Sequence, residues 1–159
     1  MLYDFNANEI LQMAEQLERN GAEFYRKSTE RVQDPAGKKL LMNLAEMEDQ
    51  HEKTFAALRS KLTADEKAQT VFDPQGETVG YLKALADSKV FFDKTIDTDS
   101  MEGILKEAIT TEKDSILFYL GIKDVVPEAL GKSRIDQVIK EEMSHINLLT
   151  RELVALKKG

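Results

Sequence analysis

Two short segments of the sequence decide the fold: EDQH at residues 48–51 and EMSH at residues 142–145. Each places a glutamate three residues before a histidine, and together they contain the only two histidines in the 159-residue chain. Positions i and i+3 lie on the same face of an α-helix, so each segment presents a carboxylate and an imidazole side by side. The pattern therefore indicates two helices with candidate metal ligands on one face.

The two segments belong to an internal repeat with an offset of 94 residues. In the first half, Glu18 lies 30 residues before Glu48, and a Phe-Tyr pair ending at Tyr25 follows Glu18. In the second half, Glu112 and Tyr119 occupy the matching positions. No gap is needed to align these residues, so the sequence predicts two similar helix pairs.

Apolar residues recur with helical spacing in four long segments, which predicts an all-α, antiparallel four-helix bundle in a single domain over residues 1–159. The expected helices run from Asn6 or Asn8 to Arg31, from Pro35 after a cap at Asp34 to about Leu62, from a cap at Ser100 to about Lys123, and from Lys132 to Lys157. In the last helix the inward-facing apolar stripe is expected to include Leu149, Leu153 and Leu156.

A long connection, from Thr63 to Asp99, separates the two helix pairs. A helix of about 26 residues is about 39 Å long, and a connection of this size can run the length of the bundle. Its apolar stretch from Glu77 to Lys89 predicts a short helix. We therefore expect a crossover between the second and third helices that carries a short helix of its own.

Six ionisable side chains fall on the core faces of the four helices: Glu18, Glu48, His51, Glu112, Glu142 and His145. Carboxylates are costly in an apolar core, and no Lys or Arg on the same faces balances them. Two divalent cations would balance the four carboxylates. Oxygen and nitrogen ligands without sulfur suit iron or manganese, so the sequence predicts two metal ions per chain. A polar core that binds no metal is the alternative.

Composition excludes several other kinds of site. The chain contains no cysteine, which excludes disulfides, thiolate zinc sites and Cys-ligated iron–sulfur clusters. A net charge of −7 without a basic cluster argues against nucleic-acid binding, and no apolar run is long enough to cross a membrane. The first five residues lack the features of a signal peptide, so we expect a cytoplasmic protein, and a homodimer as the commonest assembly.

The stretches LERNGAEFY at residues 17–25 and EMEDQHE at residues 46–52 resemble two helix signatures of the rubrerythrin-type di-iron domain, within the ferritin-like superfamily. The resemblance extends to about Leu156. It implies a ferritin-like bundle and a pair of metal ions, most simply iron with iron, with iron and manganese or another divalent pair as alternatives. It also implies a role for each residue of the repeat: Glu18 and Glu112 as terminal ligands, Glu48 and Glu142 as bridges, His51 and His145 as ligands to one metal each, and Tyr25 and Tyr119 as hydrogen-bond donors to carboxylates across the bundle.

Two features depart from that family. Rubrerythrins carry a Cys-ligated rubredoxin-like domain that passes electrons to the di-iron site, and this chain has no cysteine. Ser115 stands where they carry an additional glutamate. The resemblance implies an oxidoreductase that reduces hydrogen peroxide or dioxygen. Because the chain has no cysteine, the electrons would come from an external donor protein. A ferroxidase or iron-storage protein, and a non-catalytic bundle with a vestigial site, are the alternatives.

Other charged residues lie beside the candidate ligands. Glu46, Asp49, Glu52 and Glu141 are expected to be solvated surface, with Glu52 and Glu141 the two that lie near the rim of the site.

Overall fold

The computed structural model describes residues 7–62, 81, 84, 100–123, 126 and 128–159. Four long helices account for most of them: α1 (Ala7–Thr29), α2 (Pro35–Ser60), α3 (Met101–Lys123) and α4 (Lys132–Lys158), with a 3₁₀ turn at Glu128–Leu130 before α4. No strand occurs within these ranges, which confirms the all-α bundle. The short helix predicted over residues 77–89 lies outside the described residues except for Tyr81 and Ala84, which are helical.

Two of the predicted helix caps are present. The Asp34 carboxylate accepts a hydrogen bond from the Gly37 N–H at 3.1 Å, and Pro35 occupies the first helical position. The Ser100 hydroxyl accepts from the Gly103 N–H at 3.0 Å. Each cap satisfies a free N–H at a helix start and stabilises it by about 1 kcal/mol. Asn8 lies within α1 and does not cap it, and Asn6 lies outside the described residues.

Two apolar clusters show how the helices run. One cluster joins the start of α1 and α4 to the end of α2 and α3, and includes Leu11, Ile135, Phe55 and Ile122. The other joins the opposite halves, and includes Phe24, Leu149, Leu41 and Ile104. Helices α1 and α4 therefore run one way and α2 and α3 the other, as in a bundle with one crossover. The end of α2 and the start of α3 lie at opposite ends of the bundle.

The end of α4 corrects one prediction. Leu149 is buried and Leu153 is partly buried, but Leu156 is 46% exposed rather than inward-facing. Lys157 lies 3.9 Å from Glu102, at the start of α3, so the last turn of α4 lies where this neighbouring helix begins.

Gly131 sets the start of α4. Its φ of 112° is a left-handed conformation that favours glycine. A Cβ at this position would lie 2.5 Å from the Leu58 side chain, so α4 begins in close contact with the end of α2. None of the described helices combines the length and the apolar character that a bilayer crossing requires.

Candidate metal centre

A layer of ionisable side chains lies between the two apolar clusters. All six residues that the sequence places on the core faces are buried there, and none is more than 4% exposed: Glu18, Glu48, His51, Glu112, Glu142 and His145. Each of the four helices contributes at least one of them, because each reaches the middle of the bundle at that point of its apolar stripe.

The six residues form two overlapping ligand groups. Glu18 and His51 combine with Glu48 and Glu142 in one group, and in the other Glu112 and His145 combine with the same two glutamates. Within each group, one ligand atom per residue lies within 4.8 Å of the others. Two adjacent cation positions that share Glu48 and Glu142 would account for this overlap.

Several buried polar atoms of the layer have no hydrogen-bond partner among the described residues: Glu18 Oε2, Glu112 Oε2, Glu142 Oε1, His51 Nδ1 and His145 Nε2. His51 Nδ1 and Glu142 Oε1 lie 2.7 Å apart, yet their geometry makes no hydrogen bond. A buried polar atom without a partner is costly. Two such atoms side by side on different helices fit a common cation, so the donor set and its geometry suit the metal pair that the sequence predicts.

Protons compensate part of the charge when no cation does. Burial, and then the neighbouring carboxylates, raise the pKa of Glu48 and of Glu142 well above the usual range. Burial opposes ionisation of Glu112, but hydrogen bonds from Glu142 and His145 outweigh it and lower the pKa of Glu112 to about 2. Burial likewise opposes a charge on His51, but Glu18 and Glu48 raise the pKa of His51 to about 11.

Each of the two tyrosines crosses from one half of the repeat to the other. The Tyr25 hydroxyl donates to Glu112 Oε1 at 2.6 Å, and the Tyr119 hydroxyl donates to Glu18 Oε1. Burial, and then the nearby carboxylates, raise the pKa of both phenols, which keeps their hydrogens in place. The two bonds fix the orientation of one glutamate in each ligand group.

Glu141 reaches the site. The sequence favours solvated surface for this residue, with the rim of the site as the alternative, and the structure places it at the rim. Its Oε2 atom lies 2.5 Å from Nε2 of the buried His51, while its side chain is 40% exposed. The repeat gives no hint of this contact, because Met47 occupies the matching position in the first half. The feature of the sequence that could have predicted this contact is that Glu141 directly precedes Glu142. It therefore lies beside a core-facing residue of α4, on the side next to α2.

The other charged neighbours behave as predicted. Glu52 pairs with Arg19 at 2.6 Å and Asp49 pairs with Arg26, both as exposed or half-buried ion pairs between α1 and α2. Ser115 is buried, and its hydroxyl donates to the Thr111 carbonyl at 3.1 Å. Its position therefore supplies no further carboxylate to the site.

Comparison with known proteins agrees with this geometry. A solved structure described as that of a ferritin-like diiron-carboxylate protein from Thermotoga maritima aligns with 95% of this chain and with 96% of its own chain. The TM-score is 0.69 and the sequence identity is 24%, which shows that the two proteins share a fold. No curated protein matches the chain. A sequence model of the Rubrerythrin family matches residues 3–96, more than half of the chain and including the first Glu-x-x-His segment. The chain therefore belongs to the rubrerythrin family.

Proposed function

We propose that this chain binds two iron ions in the buried layer and reduces hydrogen peroxide or dioxygen there, with electrons from an external donor protein. The observation that supports this most is the pair of overlapping ligand groups that share Glu48 and Glu142. In the proposed site these two glutamates would help to hold both metals. Glu18 and His51 would hold one metal, and Glu112 and His145 would hold the other.

The residues of the chain would hold and orient the site. When bound, two ferrous ions would supply the two electrons that, with two protons, reduce one hydrogen peroxide to two waters or one dioxygen to hydrogen peroxide. Tyr25 and Tyr119 keep the terminal carboxylates in one orientation, and the apolar clusters on both sides limit the access of water. Because the chain has no cysteine, it has no Cys-ligated centre to pass electrons inward, so the donor would be a separate molecule.

Iron oxidation for storage is the second candidate, since it uses the same six ligands. Ser115 favours this second function over peroxide reduction, because rubrerythrins carry an additional glutamate at this position and use it in their peroxidase cycle. Storage needs a large cage, whereas the proposed homodimer would have a mass of about 36 kDa, twice the 18.0 kDa of the chain. Measuring the mass in solution separates the two functions independently of their chemistry.

The decisive experiment loads the chain with ferrous iron without oxygen, removes unbound iron, and adds hydrogen peroxide or dioxygen. We expect about two irons per chain, oxidation of two ferrous ions by each peroxide, and repeated turnover when a chemical reductant is added. The double variant Glu48→Ala with Glu142→Ala should lose the iron, whereas Glu46→Ala, on the exposed surface of α2, should retain it. Iron accumulation with excess ferrous ion and no turnover would support storage. No bound iron in the parent chain would overturn both functions.

A further inference from the structure

The two histidines have different surroundings at their outer nitrogens, although their inner nitrogens face matching ligand groups. Glu141 Oε2 lies 2.5 Å from Nε2 of His51. A carboxylate accepts hydrogen bonds, so Nε2 of His51 carries the hydrogen of this contact. Nε2 of His145 is also buried, but it has no hydrogen-bond partner in the part of the chain that the structure describes.

The repeat locates the origin of this difference. Glu141 precedes the α4 ligand Glu142, and the residue that precedes the α2 ligand Glu48 is Met47. A thioether is a weak acceptor and carries no charge. The Glu141 side chain is 40% exposed, and Met47 lies on the exposed surface of α2, so neither is tied to core packing.

A neutral histidine that binds a metal through Nδ1 carries its hydrogen on Nε2. For His51, the contact with Glu141 stabilises that arrangement and leaves Nδ1 directed at Glu142 Oε1, 2.7 Å away. For His145, the same arrangement would leave a buried N–H without an acceptor, and Nδ1 instead hydrogen-bonds to Glu112 Oε1 at 3.3 Å. A carboxylate on the outer nitrogen also makes an imidazole a stronger electron donor to a metal.

We infer that Glu141 is a positioning residue for His51 that makes the two metal positions unequal. The position with Glu18 and His51 binds a divalent cation more tightly than the position with Glu112 and His145. This inference rests on the dinuclear site proposed above and adds an order of filling to it.

The test is a titration of the metal-free full chain with Mn²⁺, with the free ion measured by electron paramagnetic resonance. The parent should bind two ions in two resolved steps. Glu141→Gln should weaken the tighter step by about 10- to 100-fold and leave the weaker one unchanged. Glu141→Asp keeps a carboxylate and should retain part of the effect. Glu46→Gln is the matched control, since it removes an exposed negative charge from α2 and should alter neither step.

Further variants assign the steps to positions. His51→Ala should remove the tighter step, and His145→Ala the weaker one. Met47→Glu supplies a carboxylate at the position that matches Glu141, so it should tighten the weaker step. Circular dichroism of each metal-free variant checks that the helices are retained.

Each remaining outcome contradicts the inference. Two equal steps in the parent, an equal loss in both steps with Glu141→Gln, or the same loss with Glu46→Gln would show that Glu141 does not act through His51, while the dinuclear site would stand. A tighter step removed by His145→Ala would reverse the order of filling. A parent chain that binds no Mn²⁺ would overturn the dinuclear site together with the inference.

Discussion

The interior of the bundle contains two kinds of region, and they affect stability in opposite directions. The apolar clusters at the two ends bury residues such as Phe55 and Leu41 completely, and each buried apolar Å² stabilises the fold by about 25 cal/mol. The layer between them buries four carboxylates whose only cationic partners among the described residues are His51 and His145. The clusters thus maintain the fold, whereas we expect the layer to lower the stability of the metal-free chain.

The largest effect of a single substitution is expected in a cluster. Phe55 is fully buried, and its ring centre lies 5.1 Å from that of Tyr119. Phe55→Ala should reduce the free energy of unfolding of the metal-free chain by about 3–5 kcal/mol, because it removes apolar contacts and leaves a cavity. Chemical denaturation measures the change. Met143→Ala, at a 47% exposed position, is the control and should change stability by less than about 0.5 kcal/mol. A loss for Phe55→Ala no larger than the control would contradict this account of the clusters.

The opposite sign is expected in the layer. Glu48→Gln combined with Glu142→Gln removes two buried carboxyl groups while nearly preserving their shape. The metal-free chain should become more stable near neutral pH, by about 1–4 kcal/mol, because an amide is neutral in the layer without having to take up a proton. The same variant should lose its metal ions. Thermal unfolding with and without added metal measures both effects. A destabilised double variant would show that these side chains support the fold through their hydrogen bonds.

Periodicity explains why the sequence predicts the layer so well, and tertiary geometry explains what it misses. Glu18, Glu48 and Glu112 follow the helical spacing of the apolar residues around them, so their burial can be inferred from one helix at a time. The contact of Glu141 with His51 depends on how closely α4 approaches α2, which no single helix encodes. The exposure of Leu156 has the same origin, since it depends on where the neighbouring helix α3 begins.

The pH dependence of stability should separate the two regions again. The folded metal-free chain should bind more protons than the unfolded chain above about pH 4.5, because the pKa values of Glu48 and Glu142 are raised. His51 adds to this difference from about pH 6.5 to about pH 11. The stability of the metal-free chain should therefore fall as the pH rises from 6 to 9, by about 1.4 kcal/mol per pH unit for each extra proton bound. Glu112, with a pKa lowered to about 2, acts with the opposite sign and only below about pH 4.5.

Two comparisons test the source of this slope. The Glu48→Gln, Glu142→Gln variant should have a shallower slope, because two of the proton-binding groups are absent. Metal binding displaces the same protons, so metal affinity should increase with pH. Thermal unfolding of the metal-free chain at several pH values is sufficient for the first comparison. Stability that is constant or rises between pH 6 and 9 would contradict the raised pKa values.

The smallest effect on stability is expected where the two regions meet. Tyr25 and Tyr119 each belong to an apolar cluster, but each hydroxyl bonds to a carboxylate of the layer. Tyr25→Phe keeps the ring and removes only the hydrogen bond to the ionised Glu112. The free energy of unfolding should fall by about 1.5 kcal/mol, the lower end of the range for a hydrogen bond to a charged group, because His145 still contacts Glu112 Oε1. Metal affinity should fall by about 10-fold or more, because Glu112 loses the group that orients it. Tyr119→Phe should act in the same way through Glu18.

Mn²⁺ titration and chemical denaturation of the same samples measure the metal affinity and the free energy of unfolding together. A variant that loses stability without losing affinity would place the role of the hydroxyl in the fold, whereas the expected result assigns the ring to the cluster and the hydroxyl to the metal site.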